Sequence, residues 1–256
     1  MARSDKVHST TLDPEEIARF DRLGEDWWDV RGPMRALHRF NPVRLDYLTA
    51  LAARHFKASG RPPQPANDMP LAGLDIIDIG CGGGLLSEPL AKLGANMVAI
   101  DPAPQNIAVA RRHAEKSGLA IDFQQTTAEA VAATGRSFDV VLCMEVIEHV
   151  RDVKRFLGVA ASMVKPGGLL VAATLNRTLK SYALAIVGAE YVLRWVPKGT
   201  HSWNHFVTPD ELAAALGAAK LNVIDATGVV YDPFADLWRQ SRDMDVNYIM
   251  AAERRS

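Results

Sequence analysis

The sequence predicts an α/β fold, a mostly parallel sheet with helices on both faces. Two observations carry this expectation. From Leu74 to Leu175, short apolar runs of strand length alternate with amphipathic segments of helix length, as successive right-handed βαβ units do. The first of these strands leads into Asp78-Ile79-Gly80-Cys81-Gly82-Gly83-Gly84, a glycine-rich junction that opens onto a helix. Glycines there permit a tight turn and let a ligand approach the backbone closely.

The elements follow in order. Asp13 reads as the N-cap of a first helix, with Pro14 at N1 and Glu15 and Glu16 facing the positive end of the helix dipole. Ile17, Phe20 and Leu23 give that helix one apolar face. After the Trp27-Trp28 pair and a Gly32-Pro33 break, a second helix is expected from Pro42 to Phe56. Lys57 to Pro70 is rich in proline and reads as a linker. Residues 1–70 are thus expected as a helical N-terminal extension, and residues 71–256 as the main domain. Strands are expected at Leu74–Ile79, Asn96–Asp101, Ile121–Thr126, Phe138–Met144, Leu169–Leu175, Asn222–Gly228 and Val246–Ala252. Helices are expected at Leu85–Leu93, Gln105–Lys116, Ala128–Ala133, Val153–Val164 and Pro209–Ala219.

Composition excludes several classes. With 48% hydrophobic and 23% charged residues, the chain is not globally disordered. A formal net charge of -1 gives no basic surplus for gripping a nucleic-acid backbone, so no nucleic-acid partner is expected. Cys81 and Cys143 are the two cysteines, which fits a reducing compartment and not a disulfide scaffold. Met1 to Asp13 lacks the apolar core of a secretory signal. The most apolar stretch, Tyr182 to Val196, is broken by Glu190 and Arg194, so no bilayer-spanning segment is expected. The expected location is the cytoplasm.

The glycine loop reads Gly-x-Gly-x-Gly. A dinucleotide fingerprint would need glycine at the sixth position from Gly80, where Leu85 stands. Asp101 ends the next strand, where a carboxylate can accept hydrogen bonds from both hydroxyls of a ribose. Asp78, just before the glycines, would repel a pyrophosphate and suit a cationic amino acid moiety. With Lys165-Pro166-Gly167-Gly168-Leu169 before the fifth strand, this arrangement resembles the class I methyltransferases from about Leu74 to Ala252. The resemblance implies a Rossmann-like seven-stranded sheet with the last strand antiparallel, and S-adenosyl-L-methionine as cofactor. It places Gly80 and Gly82 along the methionine part and Asp101 on the ribose. It also places Thr127-Ala128-Glu129 near the adenine and packs Met144 against the cofactor.

A second set of motifs narrows the resemblance. Phe20-Asp21, Trp27-Trp28-Asp29, Gly32-Pro33-Met34 and Leu37-His38-Arg39-Phe40-Asn41-Pro42-Val43-Arg44-Leu45 look like the ubiquinone-biosynthesis O-methyltransferase family. There the extension closes over the cofactor, and the arginine matching Arg44 contacts it. Arg44 could pair with the cofactor carboxylate, or stand solvated on its helix. Trp27, Trp28 and Phe40 would also staple the extension to the core. The implied acceptors are polyprenylated phenols and quinols, namely a polyprenyl catechol and 3-demethylubiquinol. The resemblance further implies peripheral contact with the inner face of the membrane, and is compatible with membership of a ubiquinone-biosynthesis complex. The rival readings are a methyltransferase for another small phenol or a carboxylate, and a non-catalytic quinone- or lipid-binding subunit.

Glu145-Val146-Ile147-Glu148-His149 follows the fourth strand, at the sheet edge where ligands bind in open α/β folds. If this segment is helical, Glu145, Glu148 and His149 share one face. They could then hold a divalent cation, and in eukaryotic members of the resembled family the equivalent residues are associated with Mg2+. They could instead move the acceptor's proton, or serve only as caps and core. Finally, residues 177–207 read as an insertion, strongly apolar between Leu179 and Lys198. Leu184, Ile186, Val187, Tyr191, Val192, Leu193, Trp195 and Val196, punctuated by Lys180, Arg194 and Lys198, suit either an interfacial helix or a buried cap over the site.

Overall fold

The computed structural model describes residues 10–58, 69–183 and 203–255. Helix α1 spans Pro14–Asp21, and the Asp13 side chain caps it by accepting the Glu15 N–H at 3.0 Å. A 3-10 turn at Gly24–Trp28 leads to α2, Arg35–Ala58. The second helix therefore begins well before the expected Pro42, which lies inside it. Proline there forfeits one helical hydrogen bond. Burial of Phe40, Val43, Tyr47, Leu48 and Leu51 against the sheet outweighs that local loss.

The sheet is built from β1 (Asp75–Ile79), β2 (Asn96–Asp101), β3 (Asp122–Gln125), β4 (Phe138–Met144), β5 (Val164–Leu175), β6 (Asn222–Asp232), β7 (Leu237–Ser241) and β8 (Asn247–Glu253). Between them lie α3 (Ser87–Lys92), α4 (Pro104–Lys116), α5 (Ala128–Ala133), α6 (Val153–Ser162), the single turn α7 (Leu179–Ser181) and α8 (Pro209–Ala218). Strand order is β3-β2-β1-β4-β5-β8-β6-β7. Strands β1 to β5 pair in parallel, and β8 runs antiparallel to both β5 and β6. The antiparallel last strand is as expected, but among the described residues the sheet has eight strands and not seven. The extra strand arises because β6 continues past Gly228 to Asp232 and folds back as β7. Leu237-Trp238-Arg239-Gln240-Ser241 is a short, largely exposed edge strand, so no buried face imposes a period on it.

Alternation of side chains along the strands divides the core in two. Ile77, Val141, Leu170 and Met250 face α5, α6 and α8. Ile76, Leu142, Val171 and Ile249 face α2 and α3. The N-terminal helix α2 thus forms part of one covering layer. Strand order reverses at β1, which has β2 on one side and β4 on the other. A crevice opens outside the carboxyl ends of β1 and β4 at such a switch point. Among the described residues, no helix is long and apolar enough to cross a membrane. The apolar residues of the insertion from Leu184 to Val196, with Arg194 and Lys198, lie outside the described residues.

Candidate active site

The glycine loop sits at this switch point because β1 and β2 are in register, Ile79 beside Ile100. The N–H groups of Gly80 and Cys81 both donate to Ile100 O, at 2.8 and 3.0 Å. Gly80 has φ +75, and a Cβ there would stand 2.4 Å from Val146 Cγ2, so glycine is required by both conformation and space. The Gly82 N–H donates to Asp101 Oδ2 at 3.0 Å. Asp101 Oδ1 accepts from Ala103 N at 2.9 Å and Asn106 Nδ2 at 3.1 Å. Burial pushes the Asp101 carboxyl above its ordinary range, against the pull of these donors. Two carboxylate oxygens offer about four acceptor positions, so one on Oδ2 stays open for a ligand hydroxyl.

Asp78 is buried beside the loop, and Ser87 Oγ donates to its Oδ2 at 2.6 Å. Burial pushes its carboxyl from 3.8 up to about 6, and Ser87 and Arg44 pull the other way. A raised folded pKa means the folded chain binds more protons than the unfolded chain between these values. Stability is therefore greatest below pH 3.8 for this group and is lost as pH rises through 6. Asp78→Asn is expected to stabilise the ligand-free protein by about 3 kcal/mol at pH 8 and roughly half that at pH 5. Urea unfolding at the two pH values checks this; an equal effect at both removes the buried-carboxylate cause.

Arg44 enters the same cleft from α2, 3% exposed. Its Nη2 donates to Glu145 Oε1 at 2.7 Å, its guanidinium lies 4.1 Å from the Phe40 ring centroid, and its buried Nε has no hydrogen-bond partner among the described residues. It is therefore not a solvated helix residue. Burial lowers its pKa from the usual arginine range, opposed by the charge of Glu145. Met144 lines the cleft at the end of β4.

The segment after β4 is not one helix. Glu145 has φ 56, a left-handed conformation that costs an L residue about 1–2 kcal/mol, and only Ile147–His149 form a 3-10 turn. The shared helical face expected for Glu145, Glu148 and His149 is lost. Glu145 turns to Arg44. Glu148 is buried, its Oε2 accepts from Thr174 Oγ1 at 2.7 Å, and its Oε1 has no partner among the described residues. Burial and the neighbouring Glu145 charge push its carboxyl up to about 7. His149 turns to α1, its Nδ1 2.7 Å from Glu16 Oε2 and its ring edge-on to Phe20 at 5.1 Å between centroids. Among the described residues, no three His, Cys, Asp or Glu side chains are grouped to hold a metal ion. In this conformation the three donors do not fit a shared Mg2+.

Glu129 also departs from its expected surroundings. Thr126, Thr127 and Ala128 line the cleft, whereas Glu129 Oε1 accepts from Thr11 N at 2.9 Å and Thr11 Oγ1 at 2.8 Å, tying down the N-terminal segment. Sequence reasoning missed Glu16 as the partner of His149, and Asn106 beneath Asp101. Both sit on helices as ordinary polar residues, and only the topology brings them to the site.

One cleft of about 1010 Å³ joins these groups. The glycine loop, Asp101, Arg44, Glu148 and His149 line it together with Phe40, Leu175, Val229 and Trp238. Sheet order, glycine loop and acidic strand ends together define a class I methyltransferase. Residues 34–226 match the family model described as a methyltransferase domain. The chain is 58% identical over 255 residues, covering all of both chains, to the ubiquinone biosynthesis O-methyltransferase of Methylocella silvestris. It is 54% identical over 245 residues to that of Brucella ovis, covering 96% of this chain and 97% of the relative. Among solved structures, it resembles the magnesium protoporphyrin IX methyltransferase of Synechocystis PCC 6803 with bound SAH, at TM-score 0.60 and 21% identity over 93% and 94% of the two chains. It also resembles the N-methyltransferase NodS of Bradyrhizobium japonicum WM9 in complex with S-adenosyl-L-homocysteine, at TM-score 0.58 and 16% identity over 94% and 98%. The chain belongs to the ubiquinone biosynthesis O-methyltransferase family.

Proposed function

We propose that this chain transfers a methyl group from S-adenosyl-L-methionine to phenolic hydroxyls of polyprenylated ubiquinone precursors, a polyprenyl catechol and 3-demethylubiquinol. The observation that carries the reading is one cleft lined both by the acid-flanked glycine loop with Glu148 and His149 and by the apolar side chains Phe40, Leu175, Val229 and Trp238. The residues fit the cofactor. Asp78 suits its cationic amino group, the open acceptor position of Asp101 suits a ribose hydroxyl, and Arg44 Nε, without a partner among the described residues, suits its carboxylate.

When bound, S-adenosylmethionine would supply a sulfonium methyl group, whose transfer to a phenolic oxygen would break the methyl–sulfur bond and leave S-adenosylhomocysteine. The protein aligns the acceptor and removes its proton. Alignment of this kind is worth roughly 7–11 kcal/mol. A phenol has a pKa near 10, so it needs a base at neutral pH. Glu16, 2.7 Å from His149 Nδ1, orients the ring and favours the tautomer with its proton on that nitrogen. The lone pair of Nε2 is then the one offered to the phenol. Glu148, close enough for His149 to lower its pKa, stabilises the imidazolium once the proton arrives. Glu145 holds Arg44 in place from the other side.

The apolar walls give the prenyl chain a role in binding. Each buried methylene contributes about 0.8 kcal/mol. Adding one prenyl unit to a catechol acceptor is expected to raise kcat/KM by at least about tenfold. Equal kcat/KM for a prenylated and an unprenylated catechol returns the assignment to other small phenols. A chain with such a substrate works at a bilayer surface, and we place it in the cytoplasm in peripheral contact with the membrane. The apolar and basic pattern from Leu179 to Lys198 supports that placement. Leu193→Asp with Trp195→Asp is expected to reduce pelleting with phospholipid vesicles while methylation of a soluble acceptor persists. Unchanged pelleting removes the lipid role of this stretch.

A further inference from the structure

Trp27 is 6% exposed and lines the cleft beside the glycine loop. Its ring covers the glycine loop: a Cβ on Gly82 would stand 2.3 Å from Trp27 Cη2, and one on Gly83 2.5 Å from Trp27 Cβ. Its Nε1 donates to Asn106 Oδ1 at 2.7 Å. Asn106, itself 1% exposed, donates from Nδ2 to Asp101 Oδ1 at 3.1 Å. An indole N–H can only donate, so it fixes which end of the Asn106 amide faces Asp101. With the amide reversed, its oxygen would face a carboxylate oxygen, and both would be buried.

We propose that Trp27 is a positioning residue for the cofactor ribose, acting through Asn106 on Asp101. The relay fills Oδ1, together with the Ala103 N–H, and keeps the open acceptor position on Oδ2 beside Gly82. The N-terminal segment thereby completes the cofactor site through a hydrogen bond, besides covering it with a ring. This inference rests on Asp101 as the ribose acceptor.

The test is a double-mutant cycle read by calorimetric titration with S-adenosylhomocysteine. Trp27→Phe keeps a ring over the glycines and removes the N–H. It is expected to weaken binding about tenfold, the scale of one buried hydrogen bond. The ligand-free melting temperature should fall by a few degrees, because Asn106 Oδ1 loses its donor in the free protein too. In steady state, KM for S-adenosylmethionine should rise while kcat and the acceptor KM stay unchanged. Asn106→Leu should weaken binding at least as much, and Trp27→Phe should add little in that background. If Asn106→Leu does not fold, Asn106→Ser takes its place in the cycle. Wild-type affinity in Trp27→Phe, or a tenfold loss that persists undiminished beside the Asn106 substitution, overturns the relay. Absence of binding by the wild-type chain would instead strike the cofactor reading itself.

Discussion

Replacing Asp101 with alanine is expected to weaken S-adenosylhomocysteine binding by about a hundredfold, near 2.7 kcal/mol. Two losses combine. The ribose loses a charged acceptor, and hydrogen bonds to charged groups contribute about 1.5–3 kcal/mol each. The N–H groups of Gly82 and Ala103 and the amide of Asn106 also lose their common acceptor, which loosens the loop that carries Gly80 and Gly82. Asp101→Asn should fall between, because its amide oxygen can keep only part of this set. Calorimetry checks both variants. An affinity within threefold of wild type for Asp101→Ala would remove Asp101 from the ribose site.

Replacing His149 with asparagine is expected to lower kcat by about 10²–10⁴-fold, the usual worth of a general base, with S-adenosylhomocysteine affinity little changed. Glu16→Gln should lower kcat by about tenfold, since it removes the charge beside Nδ1 but leaves the base. The two effects should not add: in the His149→Asn background, Glu16→Gln should do almost nothing. Single-turnover rates with saturating cofactor separate this step from binding. A His149→Asn enzyme with a nearly intact rate would shift the base to Glu148, the other titratable group buried at this turn.

The central strands were legible because β1, β2, β4 and β5 are buried on both faces and bounded by punctuation. Asn96–Asp101 and Phe138–Met144 fall where the apolar runs place them, as does α5 at Ala128–Ala133. What local pattern could not show depends on distant packing. The early start of α2 before Pro42 is stabilised by contacts with the sheet, and β7 is a short edge strand on which half-buried Trp238 packs against Phe40 while Leu237 stays exposed. The site divides the same way. Gly80, Asp78 and Asp101 were readable from position, because strand ends in this topology must meet. Glu145, Glu148 and His149 were readable as residues but not as an arrangement. A left-handed Glu145 breaks the helical spacing and sends the three side chains to Arg44, Thr174 and Glu16. No local signal requires that turn, since glutamate has no preference for positive φ.

The most direct test of the account is methyl transfer from labelled S-adenosylmethionine to a short-chain polyprenyl catechol and to the matching demethylubiquinol. Transfer to the phenolic oxygen of both is expected, abolished in Asp101→Ala at low cofactor concentration and slowed in His149→Asn at saturation. No transfer to either acceptor, by a wild-type chain shown to bind S-adenosylhomocysteine, would contradict it.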